Sequence, residues 1–174
     1  MLKRLLSILL LSALAAPALA QQYPTRAVRI IAPFAVGGPT DVMARIMAQK
    51  FTEMHGQQFV VDNRAGAGGN IGIGIAANAN PDGHTILVVS SAYVVNPGLY
   101  SKSVYDPEKS FIPISKMVAS PNAFVVHPSV AAKSMQELVK LIQNNPRKFS
   151  VATPGIGTTP DLAAALLKLT HKLD

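Results

Sequence analysis

Three short apolar stretches, at residues 28–33, 58–62 and 84–90, alternate with two segments of helical periodicity, each opened by a glycine-rich loop. No other feature constrains the fold as much. Strands connected through helices run parallel and need helices on the faces of their sheet, so the pattern predicts an α/β fold. In such sheets ligands bind beyond the carboxyl ends of the strands. All three predicted strands deliver their loops to that edge.

The first loop, Ala32-Pro33-Phe34-Ala35-Val36-Gly37-Gly38-Pro39-Thr40-Asp41, follows a run broken only by Arg29. It precedes Val42, Met43, Ile46, Met47, Phe51 and Met54 at helical spacing. Gly37 and Gly38 permit a sharp bend and keep side chains out of a ligand's way. Pro39 suits a first helical turn, and Thr40 and Asp41 are capping types. A helix start of this kind presents unpaired N–H groups and the positive end of the helix dipole, which suits a carboxylate. The same residues also suit a well-capped helix after a tight turn. Asp41, itself negative, is expected to cap its own helix.

That helix is expected over 40–55, stopped by Gly56. After the second strand comes Asn63-Arg64-Ala65-Gly66-Ala67-Gly68-Gly69-Asn70-Ile71-Gly72, with Asn70 as cap of a helix running to Asn80. Pro81-Asp82-Gly83, Asn96-Pro97 and Tyr105-Asp106-Pro107 read as turns. Residues 111–118 and 122–126 read as extended and placed to carry the chain to another lobe. Ser134-Met135-Gln136-Glu137 is a capping box ahead of Leu138, Val139, Leu141 and Ile142. The opening pattern then recurs: a short strand at 149–153, the turn Pro154-Gly155-Ile156-Gly157-Thr158-Thr159-Pro160-Asp161, and a helix from Leu162. Two such helix starts facing across a cleft would clamp a carboxylated molecule.

Lys3 and Arg4, an apolar centre at 5–11 and Ala18-Leu19-Ala20 read as a secretory signal cleaved after Ala20. The apolar run is too short to span a membrane, so the product is expected to be soluble and exported. The chain has no cysteine, which excludes disulfides and a lipid-modified cysteine. Its formal net charge is +7, and loss of Lys3 and Arg4 lowers it by two, but the basic residues are scattered and tryptophan is absent. That argues against a stacking platform for single-stranded nucleic acid. The mature chain can bury one good core but is short for two complete lobes.

Gly72-Ile73-Gly74-Ile75-Ala76-Ala77 fits a dinucleotide pattern formally, but the following strand ends in serines where such a fold needs an acid. No Walker phosphate loop and no G-x-S-x-G nucleophile turn occurs. His55, His84, His127 and His171 lack metal-ligand spacing. No catalytic constellation emerges, so the expectation is a non-enzyme without metal or cofactor.

Tyr23-Pro24, Pro33-Phe34-x-x-Gly37-Gly38-x-x-Asp41, Asn63-Arg64-x-Gly66-Ala67-Gly68-Gly69-Asn70-Ile71-Gly72, Pro81-Asp82-Gly83-x-Thr85, Asn96-Pro97, Tyr105-Asp106-Pro107 and Val126-His127-Pro128 occur here in one order. Together they resemble the Bug (TctC-like) family of periplasmic substrate-binding proteins serving tripartite tricarboxylate transporters. The resemblance implies a periplasmic binding protein-like, type II clamshell fold of parallel-rich sheets with flanking helices. It implies capture of a small mono-, di- or tricarboxylate and delivery to membrane subunits by a monomer. Phe34, Gly37, Gly38, Thr40 and Asp41 would line one side, with Gly69, Asn70, Ser90 and Ser91. Thr153, Gly155, Gly157 and Thr158 would close from the second lobe.

By the same resemblance the first lobe spans 21–118, and 119–174 form the crossover and an incomplete second lobe. Two departures stand out. Family members often carry histidine at the position of Asp161, and their chains continue well beyond residue 174. The chain is therefore expected to resemble the front half of a binding protein, with a first lobe that forms and high-affinity binding lost. The competing expectations are a nonfunctional truncated remnant and a phosphate- or nucleotide-binding domain; the missing ribose acid and Walker lysine disfavour the latter.

Overall fold

The computed structural model describes residues 23–174; the expected signal peptide lies outside the described residues. Strand β1 (Val28–Ala32) is central, paired in parallel with β2 (Phe59–Asn63) on one side and β3 (Thr85–Leu87) on the other, in the order β2–β1–β3. Val28 lies opposite Phe59, and Ile31 opposite Leu87. Val28, Ile30, Ile31 and Ala32 are fully buried, as a parallel strand covered on both faces requires. Arg29, the charge in this run, donates from Nε to Asp62 on the neighbouring strand at 2.7 Å. Burial pushes the Asp62 carboxyl up, but hydrogen bonds and charge from Arg29 and Arg64 outweigh it and hold Asp62 below its usual range.

Helix α1 (Pro39–His55) covers this sheet through Ala44 and Ala48, with Met47 and Phe51 packed beside the core of Val28, Ile30, Ala32, Phe59 and Val88. The small alanines let the helix sit close, while Val42, Ile46 and Met54 of the same periodic set are exposed. The inward face is thus narrower than the apolar spacing suggests. Gly56 ends the helix as expected, with φ +69° and its N–H bonded to Thr52 O.

A 3₁₀ turn at Ala67–Gly69 leads into α2 (Asn70–Ala77). A Cβ on Gly72 would lie 2.7 Å from both Pro33 Cβ and Arg64 O, so only glycine lets α2 approach the exit of β1 this closely. Asn70 is the first helical residue rather than the cap, which is Gly69, and the helix ends at Ala77 rather than Asn80. The third strand is shorter than its apolar run, because the chain after Leu87 turns into α3 (Ala92–Leu99). That helix was not foreseen, since Pro97 inside it reads as a turn residue.

Beyond Phe111 the structure departs further from expectation. Residues 149–153, expected as a short strand, form none, because a strand needs a hydrogen-bonded neighbour and none lies beside them among the described residues; residues 111–118 and 122–126, expected as extended, belong to no helix or strand either. Helices α4 (Met135–Gln143) and α5 (Thr159–His171) do form. Ser134 Oγ accepts from Glu137 N, and the Glu137 carboxylate accepts from Lys133 N, one residue earlier than an ordinary capping box. Only Val139 and Ala164 of the buried apolar core come from this region. No helix among the described residues is long and apolar enough to cross a membrane.

Candidate ligand-binding site

The turn between β1 and α1 is built around Gly37, whose φ of +82° falls where side chains are strained although the space around it is open. Gly38 caps α1 in extended conformation. The Asp41 carboxylate, 1% exposed, reaches back to accept from Gly37 N at 2.8 Å and from Arg45 Nε at 3.0 Å. Its other oxygen accepts from Asn63 Nδ2 at 2.9 Å, and the same nitrogen donates to Phe34 O. The Arg45 hydrogen bond, followed by that from Gly37, lowers the Asp41 pKa to about 2. The Asp41 side chain therefore closes the turn ahead of α1 and does not cap the helix as expected, since Gly38 is the cap and no side chain caps it. What this turn can offer a ligand is the N–H groups of Thr40 and Asp41, which have no preceding helical carbonyl to bond, and the half-buried Thr40 hydroxyl.

The second glycine loop lies alongside. Gly66, Gly68 and Gly69 all have positive φ, and a Cβ on Gly69 would stand 3.2 Å from the Phe34 ring. Arg64 is engaged by Asp62 at 2.9 Å. From α3, Asn96, only 1% exposed, donates from Nδ2 to Gly68 O (3.0 Å) and Asn70 Oδ1 (3.1 Å). Sequence reading took Asn96 as half of a turn, and no local pattern marks it as a buried clip. Ser91 caps α3, and its Oγ, like Asn96 Oδ1, is buried without a hydrogen-bond partner among the described residues. Ser90 Oγ accepts from Ala92 N at 3.4 Å.

The turn before α5 repeats the first in detail. Gly157 has the same φ of +82° as Gly37, Thr158 caps with φ −74° where Gly38 has −75°, and the Asp161 carboxylate accepts from Gly157 N at 3.1 Å. Thr158 is buried, and its Oγ1 donates to Gly155 O at 2.7 Å. This turn meets the earlier loops directly. A Cβ on Gly157 would lie 2.6 Å from Asn96 Oδ1, and one on Gly68 would lie 2.6 Å from Ile156 O. The structure thus gathers Phe34, Gly69, Asn70, Asn96, Gly157 and Thr158 at one junction. Thr153 makes no side-chain hydrogen bond among the described residues. No cluster of residues suited to a metal occurs among the described residues.

A family model described as the tripartite tricarboxylate transporter family receptor matches residues 43–173. The UPF0065 protein of the tcbD–tcbE intergenic region of Pseudomonas sp. is 41% identical over 145 residues, covering 83% of this chain and 43% of its own length. BugT of Bordetella pertussis is 35% identical over 158 residues, covering 90% and 48%. Among solved structures, a periplasmic transporter superposes with TM-score 0.83 at 36% identity, and an R. palustris protein solved with adipate with 0.84 at 32%. Both cover 87% of this chain and 51% of theirs. The periplasmic binding protein BugD matches with TM-score 0.76 at 34% identity over the same shares. MatC of Rhodopseudomonas palustris, solved with malate, matches with 0.71 at 27% over 87% and 52%. The chain spans about half the length of the relatives it matches.

Proposed function

Because the chain belongs to the tripartite tricarboxylate transporter receptor family, we propose that it takes part in capturing a small carboxylated metabolite in the periplasm for such a transporter. The family's receptors and its solved neighbours are binding proteins, not enzymes. The observation that carries the proposal is the repetition of one turn geometry at Gly37–Asp41 and Gly157–Asp161, the first bonded to Asn63 and the second packed against Asn96. In each turn an aspartate carboxylate fixes the glycine N–H and leaves the N–H groups of Thr40 and Asp41, or of Thr159 and Asp161, to meet an anion. Adipate and malate in the neighbours are dicarboxylates, which suits two such turns, one per carboxylate.

In this proposal Phe34, Gly37, Gly38, Thr40, Asp41, Gly69, Asn70, Ser90 and Ser91 form one side of the site. Thr153, Gly155, Gly157 and Thr158 form the other. Residues 21–118 act as the first lobe and 119–174 as the crossover and part of the second. Residues 1–20 direct export and are removed after Ala20, and the protein hands its ligand to membrane subunits as a monomer.

Thermal melting with a panel of mono-, di- and tricarboxylates tests the reading, since a ligand that binds only the folded state raises the melting temperature. A saturable rise with one carboxylate class and none with chloride or phosphate is expected. A cooperative melt that no carboxylate moves would overturn it.

A further inference from the structure

The two helix-start turns share one shape but not one setting. Asp41 accepts from Arg45 Nε at 3.0 Å, and the same guanidinium donates from Nη2 to Asn63 Oδ1 at 3.2 Å. Asn63, the last residue of β2, donates from Nδ2 to Asp41 Oδ1 at 2.9 Å and to Phe34 O at 3.3 Å. Asp41, Arg45 and Asn63 thus close a ring that ties the turn after β1 to the end of β2. The second turn lacks such a ring. Asp161 accepts only from Gly157 N among the described residues. Residue 165, which stands four beyond Asp161 as Arg45 stands four beyond Asp41, is an exposed alanine.

The second turn is therefore a control within the same chain. It reaches the same glycine φ, the same cap φ and the same aspartate–glycine bond with neither an arginine nor an asparagine. So the ring is not what folds a turn of this shape. What it adds is place and charge. Asn63 holds the backbone at Phe34, whose ring lies against Gly69 of the second loop. Arg45 sets a positive charge against the Asp41 carboxylate. A carboxylate without that partner would repel an incoming anion and offset the positive end of the helix.

We propose that Asn63 and Arg45 are positioning residues for carboxylate capture. Asn63 fixes where the Thr40 and Asp41 N–H groups stand, and Arg45 cancels the Asp41 charge beside them. The inference rests on the carboxylate reading above and adds a ranking to it. The first turn is the tighter half of the site, because Asp161 has no cation bonded to it among the described residues.

The test measures dissociation constants for malate and adipate by titration calorimetry, with amide exchange on the same proteins. Asn63→Ala should raise Kd roughly fivefold or more, while the Gly37 N–H keeps its protection, as Gly157 does without an asparagine. Arg45→Gln should raise Kd about two- to fivefold at low ionic strength, with the difference shrinking at about 0.5 M salt. Arg45→Lys should restore most of the affinity. Ala165→Arg, at an exposed position, should lower Kd about two- to fivefold by giving Asp161 the missing partner, a gain that no loss of structure can mimic. Wild-type binding with Kd unchanged in Asn63→Ala and Arg45→Gln would overturn the inference and leave the carboxylate reading standing. An Arg45→Gln effect that ignores salt and is not rescued by lysine would overturn the charge role. No binding by the wild type would overturn the reading itself, and this inference with it.

Discussion

The hydroxyl of Tyr105 donates a 2.6 Å hydrogen bond to the carbonyl of Tyr93, four residues ahead of Pro97 within α3. In an uninterrupted helix the N–H of residue 97 would bond that carbonyl, but proline has none. The two rings stack with centroids 5.2 Å apart, which holds the hydroxyl in place. A helix broken in principle by its own sequence is completed from a side chain further along. The matter bears on the site because α3 carries Asn96.

Tyr105→Phe should therefore cost about 1–2 kcal/mol in urea denaturation, the usual range for stranding a shielded acceptor. The wild type should also show a late step in alkaline titration. Burial first, then Tyr93, pushes the Tyr105 phenol up to about 12. A raised folded value gives stability that is complete below the ordinary phenol pKa and lost as pH rises through about 12. The phenylalanine variant should lack both that step and the associated loss.

Asp41→Asn should weaken the fold only where the carboxylate is ionised. The folded pKa of about 2 lies below the ordinary 3.8, so the contribution is present above the ordinary value and fades as pH falls through about 2. Urea midpoints for wild type and variant should differ at pH 6 and converge as pH drops toward 2.

Gly37→Ala and Gly157→Ala form a matched pair, since both residues have φ +82°. Each should pay about 1–2 kcal/mol for a left-handed alanine. Only Gly157→Ala also places a Cβ 2.6 Å from Asn96 Oδ1, whereas the space at Gly37 is open. Gly157→Ala should cost more in denaturation, and it should speed amide exchange at 155–158 and in the facing loop.

Asn96→Asp keeps the shape of the side chain but replaces the donor facing Gly68 O and Asn70 Oδ1 with an acceptor. It should destabilise by about 2–3 kcal/mol, at least as much as Asn96→Ala. A near-neutral isosteric change in thermal and urea melts would show that the clip carries no weight.

The parts of the fold legible in sequence are those whose signals are local. The buried run of β1, the stop at Gly56 and the Ser134 cap each depend on neighbours a few residues away. The two glycine turns ahead of α1 and α5 were legible for the same reason, whereas the Asp41 carboxylate, expected to cap its helix, bonds Gly37 N ahead of it. What was missed depends on distant partners. Helix α3 needs the Tyr105 hydroxyl, and Asn96 acquires its role from Gly68 and Asn70, 28 and 26 residues away. Residues 149–153 have the composition of a strand, yet without a neighbouring strand to bond, their pattern alone makes no sheet.

Carboxylate capture by the two turns is tested most directly by amide chemical-shift mapping of the ¹⁵N-labelled chain titrated with malate and adipate. Saturable shifts are expected at Thr40, Asp41, Asn70, Thr158 and Thr159, lost or weakened in Gly157→Ala. Absence of saturable shifts, or shifts confined to the open groove lined by Val126 and Val130, would contradict capture by these turns.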